Sequence, residues 1–190
     1  MEGAPAIDFD AQLMLRVREG DESCFHTLLD RHRNSLIRFL YRMVQDSGTA
    51  EDLAQEVFLR IYRSRTNYEV TARFTTWMFR IATHIALNLL RDEKHVRRQT
   101  ELGAEREVAD LHPSTEQRLV HNVRVNEIRT AIRSLPAKQR AAVLMHKYEG
   151  MDYSQIAGVL ECSESAVKSL LFRAYESLRA KLAHLVRGEI

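Results

Sequence analysis

Residues 6–112 contain no proline. Proline removes a backbone donor and clashes with the preceding helical turn, so its absence over that length permits long helices. Apolar residues in the stretch recur three and four positions apart. Phe25, Leu28, Leu29, Leu36, Leu40 and Val44 make one stripe, and Leu53, Val57, Phe58, Ile61 and Tyr62 a second. Phe74, Trp77, Met78, Ile81, Ile85 and Leu89 make a third. No sustained alternation of period two competes with them, so the chain is expected to be all-α. With 45% hydrophobic and 28% charged residues it carries the apolar content a core needs, which excludes a disordered chain. No apolar run reaches the ~18 residues of a membrane span. The acidic stretch Met1–Asp10 lacks the basic and apolar regions of a signal peptide. A cytoplasmic location without stable membrane insertion is expected.

The three stripes predict one helical bundle. Asp21 after Gly20 is placed to cap the helix carrying Phe25, because an aspartate at that position accepts from the free amides of the first turn. Thr49-Ala50-Glu51-Asp52, after the break Asp46-Ser47-Gly48, has the spacing of a capping box. Residues 96–120 change character, with Gly103, Pro113, Ser114, Thr115, mixed charge and few apolar anchors, and read as a flexible linker. A second helical unit follows. The expected division is a tail over 1–10, a helical domain over 11–95, the linker over 96–120 and a second helical domain over 121–187. The last predicted helix runs to about the end of the sequence, so no fused regulatory domain is expected after it.

The second unit carries the sharpest local pattern. Val125, Ile128, Ile132 and Leu135 lie on one face, and Pro136 starts a new helix where its missing N–H costs little. Asp152 with Gln155 three residues on marks an N-terminus. Ile156, Ala157 and Leu160 form the stripe of a short helix, Glu161-Cys162 a turn, and Ser163 the cap of a longer helix with Val167, Leu171, Ala174, Leu178, Leu182 and Leu185 inward. Short helix, tight turn and longer helix make a helix-turn-helix. Its second helix would present Ser165, Lys168, Ser169, Phe172 and Arg173 outward, near the end that enters a DNA major groove. Lys168 and Arg173 can reach guanine edges or phosphates, and Phe172 can meet a thymine methyl. An ordinary helical hairpin with a wet basic face would give the same charges.

Charge adds a second hint. The net charge is only +2, yet Arg31–Arg42 holds four arginines and no acid, and Arg73–Arg98 holds six bases against Asp92 and Glu93. Basic helices suit a phosphate backbone and also any solvated face. Asp52, Gln55 and Glu56 share one helical face, and Glu51–Glu56 contains three acids and no base. Such a patch suits a basic partner helix, but taken alone it reads first as a solvated face. Arg80, His84 and Asn88 stand four apart and share an outward face.

In order along the chain, these stretches resemble bacterial RNA polymerase sigma factors of the extracytoplasmic-function type, over about residues 11–94 and 121–185. Ala50-Glu51-Asp52-Leu53-x-Gln55-Glu56-Val57-Phe58 is similar to the family's polymerase-docking segment. Phe74-x-Thr76-Trp77-x-x-x-Ile81-Ala82 is similar to its promoter-melting helix. Leu135-Pro136 with Gln139-Arg140, Tyr153-x-x-Ile156-Ala157, and Val167-Lys168-Ser169-x-x-Phe172-Arg173-Ala174 resemble its fourth conserved region. The resemblance implies a factor that binds core RNA polymerase, directs it to promoters through −35 and −10 elements and helps open the DNA. It implies that Asp52, Gln55, Glu56 and Phe58 meet the clamp coiled coil of the largest polymerase subunit, with a further contact to the flap region. Asn67, Arg80, His84 and Asn88 would meet the −10 element, double- and then single-stranded, with the polar stretch Ser64–Arg73 helping to capture a flipped base. Relatives commonly carry Asn where His84 stands. Ser165, Lys168, Ser169, Phe172 and Arg173 would read the −35 element. An anti-sigma factor is an implied partner, and the free chain is expected to be a monomer. Trp77 reads as a core residue before it reads as a base platform.

The competing reading is a dimeric helix-turn-helix regulator with a helical N-terminal domain, which would bind a palindrome rather than two unlike elements. Phe172-Arg173-Ala174, the 49–58 acidic helix and the 74–82 aromatic block weigh against it. An enzyme is not expected, since no catalytic constellation appears. No cofactor or metal is expected either. The eight histidines lack ligand spacing, and Cys24 and Cys162 read as reduced thiols.

Overall fold

The structure, a computed structural model, describes residues 8–99 and 116–187. The N-terminal unit holds α1 (Phe9–Arg18), α2 (Glu22–Val44), α3 (Ser47–Arg63), a single 3-10 turn (Arg65–Asn67) and α4 (Phe74–Gln99). The C-terminal unit holds α5 (Glu116–Arg133), α6 (Ala137–Tyr148), α7 (Tyr153–Leu160), α8 (Glu164–Lys181) and α9 (Ala183–Arg187). No strand occurs among the described residues, and the all-α expectation holds. Helix α4 continues through Gln99 and α5 begins at Glu116. Most of the expected linker, 100–115, and residues 1–7 of the expected tail lie outside the described residues.

Local chemistry sets the helix starts. Asp21 caps α2, accepting from the amides of Ser23 (3.1 Å) and Cys24 (3.3 Å). Asp152 and Gln155 form the reciprocal capping box of α7, and Ser163 Oγ accepts from Ala166 N at 3.2 Å to start α8. Helix α3 departs from expectation. Its cap is Asp46, which accepts from Thr49 N at 2.7 Å, so Ser47, Gly48 and Thr49 are already helical. An aspartate three residues ahead of a free amide satisfies it directly, and the Thr49–Asp52 box is not needed. Likewise α8 ends at Lys181, so Leu182 is its C-cap and Leu185 belongs to α9.

Two of the tight connections turn on left-handed residues other than glycine. Gln45 (φ 63°) ends α2 with its N–H on Tyr41 O at 2.7 Å. Glu161 (φ 52°) makes the helix-turn-helix turn, where Cys162 N bonds Ala157 O at 3.1 Å and closes the end of α7.

The core of the N-terminal unit is built from Met14, Leu28, Leu36, Phe39, Leu40, Met43, Ile61, Phe74 and Met78, all fully buried. Phe39 meets Phe79 edge to face at 5.0 Å between centroids. The second unit closes over Leu144, Met145, Ile156 and Val167. Cys24 is buried, and burial raises its thiol from the ordinary value of 9.0.

The units also pack on each other, α4 against α6 and α7, and α2 against α6. Arg140, 8% exposed, is the pivot. Its guanidinium donates to the carbonyls of Met43 in the first unit and of Arg133 and Leu135 in the second. Arg42 lies over the Tyr148 ring at 4.1 Å, a cation–π contact across the seam.

Candidate nucleic-acid and partner interfaces

Helix α8 is oriented by its apolar stripe. Val167, Leu171 and Ala174 are buried against α6 and α7, which at 3.6 residues per turn leaves the opposite face in solvent. Ser165, Lys168, Ser169, Phe172 and Arg173 all stand exposed there. Phe172 is 68% exposed, between two cations. Ser169 Oγ donates to Ser165 O at 3.1 Å, and Lys168 Nζ stands 6.0 Å from the Tyr153 ring centroid. Behind this face Tyr175 OH and His146 Nδ1 share a hydrogen bond of 2.9 Å, and burial raises the Tyr175 phenol above its ordinary range. The face combines hydroxyls, two cations and one apolar ring. That is the chemistry of phosphate and base-edge contact.

Helix α4 presents Arg80 and His84 exposed and Asn88 half-buried on one side. Two grooves run along it. The first, of about 680 Å³, gathers Asn67 from the 3-10 turn with Arg80, His84, Arg60, Arg63 and Trp77. The second, of about 650 Å³, gathers Arg80, His84 and Asn88 with Arg91 and Lys138. The four sequence-predicted residues are thus brought to one side of the unit, in a setting rich in guanidinium groups. Helix α7 forms the far wall: Gly158 borders the first groove, and Val159, Leu160 and Glu161 the second. Thr76 and Thr83 also line these grooves, and their buried hydroxyls have no hydrogen-bond partner. Trp77 is half-buried and packs on the core, with Tyr68 at 4.9 Å, yet one side reaches both grooves.

On α3, Asp52 and Gln55 are exposed and Glu56 accepts from Arg60 Nε at 2.6 Å. Phe58 differs from the other three. It is 6% exposed and meets Phe25 edge-on at 6.4 Å, so it is a wall rather than a projecting contact. Gln55 and Phe58 border an apolar groove between α2 and α3, with Phe25, Leu29, Ile37 and Leu59. Leu59, 48% exposed, escapes sequence reading because it lies one position beyond the recognisable segment.

Sequence reading also misses Asp8, Arg18 and the burial of Tyr68. Tyr68 sits in a polar, loop-like stretch, yet it is only 4% exposed. Nothing in its neighbours in sequence announces the pocket that takes it.

Comparisons with known proteins cover both helical units. Residues 28–96 match the family model for sigma-70 region 2, and residues 126–178 match that for sigma-70, region 4. The RNA polymerase sigma-H factor of Pseudomonas aeruginosa is 30% identical over 186 residues, covering 94% of this chain and 96% of its own. RNA polymerase sigma factor CarQ of Myxococcus xanthus is 34% identical over 177 residues, covering 90% and 97%. The ECF RNA polymerase sigma-E factor of Escherichia coli is 30% identical over 186 residues, covering 94% and 96%. Two solved structures share the fold at 22% identity. One is the sigma factor RpoE in complex with the anti-sigma factor NepR from Bartonella quintana, with a TM-score of 0.68 over 84% of this chain and 96% of that one. The other is CnrH in complex with the cytosolic domain of CnrY, with a TM-score of 0.66 over 96% of this chain and all of that one (100%).

Proposed function

This chain belongs to the sigma-70 family of RNA polymerase sigma factors, among the ECF sigma factors, and we propose that it divides transcription initiation among the three surfaces above. Asp52, Gln55 and Glu56, with the apolar groove beside them, take the clamp coiled coil of the largest polymerase subunit. Phe58 shapes that groove from within. The outer face of α8 reads the −35 element, and the flap region meets the same C-terminal unit. Asn67, Arg80, His84 and Asn88 take the −10 element, first as duplex and then as a single strand. A stacked or fitted base recovers ~1–3 kcal/mol of the energy spent in unstacking it.

The observation that carries this reading is the convergence of Asn67, Arg80 and His84, from two separate elements, into one groove flanked by Arg60 and Arg63. Arginines there bind phosphate while the amide and imidazole read base edges. His84 takes part as a donor and acceptor bulkier than Asn, which biases the −10 sequence preferred.

Helix α7 walls this groove, so DNA enters when the C-terminal unit swings off α4. The unpaired Thr76 and Thr83 hydroxyls support such a movement, since a buried hydroxyl without a partner costs ~1–3 kcal/mol that water or DNA would return. The linker then sets how the two DNA-reading units span the promoter, and the second contact gains from the first through effective concentration. Under this reading one helical domain over 11–95 and another over 121–187 work as separate units, with the connection over 96–120 shortened by α4 reaching Gln99 and α5 starting at Glu116.

The protein has no catalytic activity of its own under this reading, and works in the cytoplasm. No helix among the described residues is long and apolar enough to cross a membrane. The two structural neighbours hold an anti-sigma factor and the cytosolic domain of CnrY, which supports an anti-sigma partner here too. Footprinting the polymerase reconstituted with this chain, on a promoter selected from a random pool, tests the division of labour. Two unlike elements should be protected in direct order, and a palindromic footprint would refute it.

A further inference from the structure

The segment between the 3-10 turn and α4 is tied down by α1, which lies ahead of the family match at residue 28. Arg18, in the last turn of α1, donates from Nη1 to Tyr68 O at 3.1 Å, where the segment leaves the turn. Asp8, the cap of α1, accepts from Ala11 N at 2.7 Å through one oxygen. Through the other it accepts from Phe74 N at 3.3 Å, where the segment re-enters helix. Between these ties Glu69, Val70, Thr71, Ala72 and Arg73 are all exposed.

Beneath the segment the Tyr68 ring packs on Trp77 at 4.9 Å between centroids. Burial, with Asp8 and Asp10 adding repulsion, pushes the phenol up to about 12, so it stays neutral. Its hydroxyl has no hydrogen-bond partner, so the ring is held by shape and by the ties on either side. Helix α1 is itself fastened. Its residues Ala11, Leu13, Met14 and Val17 are buried, and Asp10 accepts from Arg31 Nε at 2.8 Å and pairs with His32 Nε2 at 2.9 Å.

We propose that Asp8 and Arg18, at opposite ends of α1, are positioning residues for promoter opening, holding the 64–73 segment in the shape that receives the opened −10 strand. The inference rests on the reading that Asn67 and its groove contact that strand. A loop left to fluctuate spends binding energy on ordering itself, whereas a loop pinned at both ends is pre-organised for its ligand. Neither residue reaches the groove. Both act through the backbone of the segment that borders it.

The test uses the full chain with core polymerase on a selected promoter, with opening followed by permanganate reactivity of unpaired thymines. Arg18 is exposed, so Arg18→Met leaves the fold intact. Loss of one charge-assisted hydrogen bond should slow opening about tenfold, with core polymerase binding and −35 duplex binding unchanged. Asp8→Ala should act likewise, and Asp8→Asn, which has one acceptor oxygen for the two amides of Ala11 and Phe74, should recover the rate only in part. Asn67→Ala tests the underlying reading: if it opens at the wild-type rate, that reading fails and the inference with it. If Asn67→Ala is slow and Arg18→Met is not, the inference alone is overturned. The double variant R18M/N67A separates positioning from general weakening. Its loss should be clearly smaller than the product of the single losses, and a full product would overturn the proposal.

Discussion

Phe172 is the residue for which folding and binding make opposite demands. It is 68% exposed on the outer face of α8 and outside the core. Truncation to alanine should therefore change folded stability by less than ~0.5 kcal/mol, the usual range for a surface position. Binding is a different matter. A phenylalanine buries ~150–250 Å² when fully enclosed, and two-thirds of its surface is still open here. Roughly 130 Å² thus remains for DNA to cover, which at ~25 cal/mol per Å² sets a ceiling of about 3 kcal/mol. A thymine methyl covers part of that area, so Phe172→Ala should weaken −35-dependent binding by ~1–2 kcal/mol, a loss of roughly 5- to 30-fold. Fluorescence anisotropy of the reconstituted polymerase on duplexes with an intact and a scrambled −35 element reads this difference, alongside urea unfolding of the free chain. The reasoning fails if the variant loses affinity equally on both duplexes, or if its unfolding free energy falls by more than ~1 kcal/mol.

The double variant D52R/E56R should abolish capture of core polymerase in a pull-down while leaving thermal unfolding nearly unchanged. The Glu56–Arg60 pair it removes is a surface i,i+4 pair worth only ~0.3–0.5 kcal/mol, so normal capture would remove α3 as the docking surface. Arg140→Met keeps the aliphatic volume but strips the donors from three carbonyls, and should cost about 3 kcal/mol in urea unfolding; a loss under ~1 kcal/mol would contradict the role of Arg140 at the seam. Asp21 is held down to about 2, chiefly by the Ser23 hydroxyl and then Cys24, against an ordinary 3.8. Because the folded value is the depressed one, its contribution is complete above pH 3.8 and lost as pH falls toward about 2. An NMR titration of the Asp21 carboxyl should find its midpoint in that low range, and a midpoint near 3.8 would contradict the capping geometry.

Legibility followed the range of the interactions. Caps at Asp21, Asp152 and Ser163 were readable because acceptor and amide lie within three residues of each other. The same locality misled at Thr49, where Asp46, equally close on the upstream side, already satisfied the amide. Helical spacing correctly placed the outward sets on α4 and α8, since the period alone fixes a face. The burial of Tyr68 was not legible: Asp8 and Arg18 come from the two ends of α1 and Trp77 from α4, and a tyrosine among polar residues carries no local sign of burial. Phe58 shows the converse case. Its motif was recognisable, but burial against Phe25 changes its part from a contact to a wall. The seam between the units, with Arg140 on Met43, spans 97 positions of sequence and has no pattern that periodicity can reveal.

Competition with a housekeeping sigma factor for bacterial core RNA polymerase decides the whole account. Purified chain, shown folded and free of copurified inhibitor, should bind core tightly and displace the competitor at one shared site. Absence of binding, or binding that leaves the housekeeping factor in place, would contradict a sigma factor docked through α3 and return that acidic helix to an ordinary solvated face.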